Sequence, residues 1–87
     1  MPTPVVALNR SVAVAEVHGP AAALDLVGQL GLSDYHLYHS TRADLLRRLG
    51  RAGEAADAYD AAIALAGNDA ERAFLQRQRD GLGNGAG

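Results

Sequence analysis

The sequence contains no cysteine, no tryptophan and no lysine, and only one methionine and one phenylalanine. Without cysteine there is neither a disulfide staple nor a thiolate metal site, and a reducing compartment, the cytoplasm, is expected. There is no basic excess: the formal charge is −2 and the pI is near 5.8. That speaks against a stand-alone nucleic-acid binder. No apolar run approaches the roughly 20 residues of a membrane span, and the N-terminus lacks the basic start of a signal peptide. The three prolines stand at positions 2, 4 and 20, so no proline interrupts helix formation beyond them.

What is present is alanine and leucine, 18 and 12 of the 87 residues, punctuated by single glycines. The hydrophobic fraction of 48% against 21% charge is too apolar for a disordered chain, and the length suffices for one small domain. The punctuation predicts five helices. Thr3 caps a first helix that opens at Pro4 and runs to Val17, with Gly19 as its stop. Pro20 opens a second, ending near Leu30 before Gly31. Ser33 caps a third, running through Leu49 to Gly50. A fourth spans Gly53 to Ala66 and closes at Gly67. Asn68 and Glu71 form a capping box for a fifth, which ends near Asp80. The domain is thus expected over 3–80, with the glycine-rich 81–87 as a tail without order. Short connections make consecutive helices antiparallel, giving an all-α fold of two stacked helical hairpins and a C-terminal covering helix.

Helical periodicity assigns the faces. In the fourth helix Ala55, Ala58, Tyr59, Ala62, Leu65 and Ala66 face inward. In the third, Tyr35, Tyr38, Leu45, Leu46 and Leu49 share a face, opposite Leu37, Ser40, Asp44, Arg47, Arg48 and Arg51. The first helix carries two apolar stripes, Val5, Leu8, Val12 and Ala15 on one side and Val6, Ala13 and Val17 on the other. Such a helix calls for a neighbour beyond the second and third helices.

Catalytic and metal chemistry find little purchase. His36 and His39 are spaced as two ligands on one helix, but His18 sits in a turn and supplies no third. Ser11, Ser33, Ser40, Thr3 and Thr41 lie in no nucleophile turn, and neither a phosphate loop nor a carboxylate pair accompanies them. No enzyme activity and no cofactor are expected. Arg42 falls by helical angle among apolar residues, where it must snorkel or meet a carboxylate, and an ion pair with Glu16 or Asp25 is expected. Arg47, Arg48 and Arg51 complement the C-terminal dipole of their helix.

The helical pair recurs, with Gly19 and Gly50 lying 31 residues apart. Ala43, Leu46, Gly50, Ala55, Tyr59, Ala62 and Asn68 resemble a tetratricopeptide repeat, in which small residues let two helices cross closely and an aromatic fills the crossing. Gly67 stands where that repeat usually has proline, and His39 where it has tryptophan. Beyond this, the run Pro4-Val5-Val6-Ala7-Leu8-Asn9-Arg10-Ser11-Val12-Ala13-Val14-Ala15-Glu16 resembles a segment of bacterial extracytoplasmic-function (ECF) sigma factors with a C-terminal tetratricopeptide-like extension. Tyr35 to His39, Arg42 to Arg51 and Ala64 to Arg72 follow in the same order. The resemblance implies a regulatory and protein-interaction module acting in transcription initiation. Its partners would be the sigma factor's own core domains or RNA polymerase, and the promoter-binding regions would precede Met1. A free-standing adaptor that holds a peptide or helix is the alternative. In either case the inner curve of stacked hairpins would carry the partner, through Asn9, Ala13 and Glu16 on the first helix and Ser40, Asp44, Arg47 and Arg48 on the third. The second apolar stripe of the first helix would meet a preceding domain or a second copy of the chain. No direct contact with nucleic acid or membrane is expected.

Overall fold

Proline in the first turn, with neither glycine nor a second proline until Gly19, lets the chain start as a helix. In the computed structural model, which describes residues 4–85, α1 spans Pro4–His18 and α2 spans Pro20–Gly28. They are followed by α3 at His36–Arg48, α4 at Ala52–Leu65 and α5 at Asp69–Gly85. The fold is all-α, with no strand among the described residues. The expected Thr3 cap lies outside them.

The turns follow from a few residues. Gly19, at φ 91°, donates its N–H to the Ala15 carbonyl and leads straight into Pro20, so α1 and α2 meet with one residue between them. Gly50, at φ 76°, closes α3 differently. Its N–H bonds the Arg47 carbonyl and that of Arg51 bonds the Leu46 carbonyl, a paired arrangement that satisfies the last carbonyls of the helix. Asn68 caps α5 as its spacing predicts: its Oδ1 accepts from the Glu71 N–H at 2.8 Å, while Glu71 reaches back to the Gly67 N–H at 3.4 Å.

Three boundaries depart from expectation. The second helix ends at Gly28 rather than near Leu30, because Gln29 and Leu30 tighten onto the carbonyls three residues earlier, ahead of Gly31 at φ 65°. Ser33 does not cap α3. Its carbonyl accepts instead from His39 Nε2 at 2.7 Å, residues 32–35 form a turn, and extended Tyr35 precedes the helix. The fifth helix continues past Asp80 to Gly85, through residues expected to form a tail. Gly81 takes no positive φ, and Leu82 packs against the core of α4.

Two cores hold the helices together. One joins Ala43 and Leu46 of α3, Ala55, Ala58, Tyr59 and Ala62 of α4, and Leu75 of α5. The other joins Leu8 and Ala15 of α1, Ala23 and Val27 of α2, and Leu45 of α3. Leu24 touches both. Alanine at the crossings lets α3 and α4 approach closely, with Tyr59 filling the space between. Leu65 and Tyr35, read as inward-facing, are instead 44% and 49% exposed. Leu65 is the last residue of α4, and Tyr35 precedes α3 altogether, so both stand at helix ends.

The repeat is 32 residues long rather than 31. Ser11, Ala43 and Leu75 are buried at successive steps of 32, as are the pairs Ala23 and Ala55, and Val27 and Tyr59. Pro4 and His36 begin first helices, and Pro20 and Ala52 begin second helices, at the same interval. The α5 helix therefore stands where the first helix of a third hairpin would.

Candidate interaction site

First helices of successive hairpins line the same side of a stack. Here α1, α3 and α5 enclose a cleft of about 240 Å³, with Tyr59 of α4 behind them. Val12 and Ala15 come from α1, Ser40, Thr41, Asp44, Leu45 and Arg48 from α3, and Phe74, Leu75 and Gln78 from α5. A second hollow of about 380 Å³ adjoins it through Ser40, Phe74 and Leu75, and extends to His36, Ala70 and Glu71. Phe74 is 52% exposed and Val12 42%, so each offers apolar surface at the mouth.

A chain of charges edges the cleft. Asp44 accepts from Arg47 Nη2 at 2.6 Å and lies 3.0 Å from Arg48 Nε. Arg48 in turn approaches Glu16 of α1 at 3.8 Å. Arg47 also faces the Tyr59 phenol, and its guanidinium is held above the ordinary arginine range, chiefly by the Asp44 hydrogen bond. Burial raises the Tyr59 pKa, against the opposing effect of Arg47. At the other end His36 Nε2 is 3.6 Å from Glu71, linking the starts of α3 and α5. These pairs are partly exposed, and each contributes little to stability.

Of the residues assigned to the inner curve, Ser40, Asp44 and Arg48 line the cleft, while Arg47 and Glu16 extend its charged edge. Ser40 is already engaged, donating to the Leu37 carbonyl at 3.1 Å. Asn9 and Ala13 are exposed but not part of the lining. With a 32-residue repeat, Asp44 corresponds to Val12 and Arg48 to Glu16, so Val12 takes the place assigned to Ala13. The strip is accordingly less polar than expected: Val12, Leu45, Phe74 and Leu75 make its surface mainly apolar. The contribution of α5 went unread, although Leu75 stands one repeat beyond Ala43.

The ion pair assigned to Arg42 is not formed. Arg42 is half-buried and enters no ion pair among the described residues. Glu16 faces Arg48, its repeat counterpart, and Asp25 is exposed. His39 is occupied by the Ser33 carbonyl and packs edge-on to Tyr38, with ring centres 4.9 Å apart. Among the described residues, no three His, Asp or Glu side chains gather as a metal ion would require, and no helix is long and apolar enough to cross a membrane.

No family model and no solved structure matches the chain. It is similar to an uncharacterised protein of Rhizobium meliloti (strain 1021), at 54% identity over 83 residues, a match that takes in 93% of this chain and 20% of that protein. The chain thus spans about one fifth of the length of the relative it matches.

Proposed function

We propose that this chain is the C-terminal protein-interaction module of an ECF-type sigma factor, of tetratricopeptide-like construction, acting in the cytoplasm in transcription initiation. Its role is binding rather than catalysis. The observation that carries a binding role is the cleft shared by α1, α3 and α5, with an apolar floor and a charged edge running Glu16–Arg48–Asp44–Arg47. The sigma-factor assignment draws on the resemblance of residues 4–16, 35–39, 42–51 and 64–72. A relative five times as long also suits a module that works within a larger polypeptide. In this reading the cleft docks onto the sigma factor's own polymerase- and DNA-binding domains, or onto polymerase, and biases their arrangement. An apolar floor supplies affinity, and the charged edge supplies orientation and selectivity.

The test is a pair of variants in the full sigma factor, Phe74→Ser in the floor and Arg47→Glu with Arg48→Glu at the edge. Both sites are exposed enough for the fold to persist. Transcription from a dependent promoter should fall in both, and a complementary charge reversal in a preceding domain should restore the second. Unchanged transcription from normally folded variants would refute the cleft as the working surface.

A further inference from the structure

Tyr38 and Leu45 of α3 pack into the core of the hairpin before it, against residues that include Leu8, Ala23 and Val27. One repeat earlier, α1 carries Val6 and Ala13 at the corresponding positions, and Val17 corresponds to Leu49. Spacings of seven and four residues put Val6, Ala13 and Val17 on one stripe. The buried Leu8, Ser11 and Ala15 turn to the other side of the helix. The stripe is open: Val17 is 76% exposed, and Ala13 is exposed as well. It thus has the apolar character of a stacking face, and two of its positions correspond to Tyr38 and Leu45, which pack against the preceding hairpin one repeat later.

We infer that this face seats a further helical hairpin of the same polypeptide, stacked on α1 as the first hairpin is stacked against α3. Two observations choose that occupant. The matching relative has four fifths of its length outside the matched region, which leaves ample chain to supply such a hairpin. The face itself is too small for a free partner. A helix of 15 residues is about 22 Å long. One stripe of valine and alanine on it falls well short of the roughly 800 Å² per partner of a stable interface between separate molecules. A covalently attached hairpin needs no such area, because attachment raises its effective concentration. Ala13, midway along the stripe, allows the close approach that Ala43 allows at its own crossing. The inference depends on the stacking pattern alone and is independent of the sigma-factor reading.

The experiment compares the 87-residue chain with a single polypeptide in which the unmatched part of the Rhizobium meliloti relative is joined ahead of it. Amide exchange in α1 should slow roughly tenfold or more in the joined polypeptide, and Ala13→Glu with Val17→Glu should remove that slowing. In the 87-residue chain alone the same variant should keep the melting temperature and helicity of the parent, since both positions are exposed. Exchange that does not slow on joining, or slowing that the variant keeps, overturns the inference. So does a helical dimer of the 87-residue chain in sedimentation that the same variant dissociates, because a second copy would then be the occupant.

Discussion

Leu45 and Leu46 are neighbours on α3 and are buried in different cores, Leu45 with α1 and α2 and Leu46 with α4 and α5. Successive residues on a helix point about 100° apart, so one helix can serve two hairpins at once. Truncating either side chain to alanine should cost about 2–5 kcal/mol, the range for emptying a buried leucine site. The consequences should differ in place. Leu45→Ala should raise amide exchange in α1 and α2 while α3 to α5 keep their protection, and Leu46→Ala should loosen the second hairpin and α5. Identical exchange maps would contradict the two-core description.

Ser11 and Ala43 are both fully buried, one repeat apart, each at the crossing of its hairpin. Ser11 donates its hydroxyl to the Ala7 carbonyl at 3.1 Å, so its burial leaves no unmet donor. Ser11→Ala should therefore change stability by less than about 1 kcal/mol. Ser11→Leu and Ala43→Leu should each destabilise by about 1–3 kcal/mol, through overpacking. Thermal melts of the four proteins decide the matter. A neutral Ser11→Leu would mean that the first crossing is looser than the second.

These two sites also show what was legible in the sequence. Alanine spacing, single glycines and the Asn68 cap give the five helices and the buried Ala55, Ala58, Tyr59 and Ala62 of α4, because each signal is local. The repeat length was misread because Gly19 and Gly50 look equivalent and are not. Gly19 leads directly into Pro20, whereas Gly50 closes a paired turn and leaves Arg51 before α4. A slip of one residue turns a helix face by about 100°. That was enough to assign Ala13 to the cleft in place of Val12 and to leave Leu75 unread. Arg42 failed for another reason. Helical angle shows which way a side chain leaves its helix, not which carboxylate another helix brings near it.

The absence of an ion pair at Arg42 reverses the expectation drawn from its position. With no paired charge to strand, Arg42→Ala should cost no more than about 1 kcal/mol, from lost packing of its aliphatic stem. Arg48→Ala, which breaks two partly exposed pairs, should cost a similar amount. Chemical denaturation of the two variants should give midpoints close to each other. A loss near 3 kcal/mol confined to Arg42→Ala would restore the buried pair.

Tyr59 makes the fold sensitive to alkali. Its side chain is 3% exposed within the α3–α4 core, and burial raises its pKa above the ordinary tyrosine value of 10.0, with Arg47 opposing the shift only in part. A raised pKa means that the folded state holds the phenolic proton more tightly than the unfolded chain does. The resulting stabilisation is complete below the unfolded pKa and is lost as pH rises through the folded one. Stability should therefore hold flat with respect to this group up to about pH 10 and decline above it. Tyr59→Phe keeps the ring in the crossing and removes the ionisation, so its stability should fall less steeply over that interval. The measurement is urea denaturation of both proteins at a series of pH values on either side of pH 10, with the difference between them plotted against pH. A constant difference would mean that Tyr59 ionises as freely in the fold as in the unfolded chain.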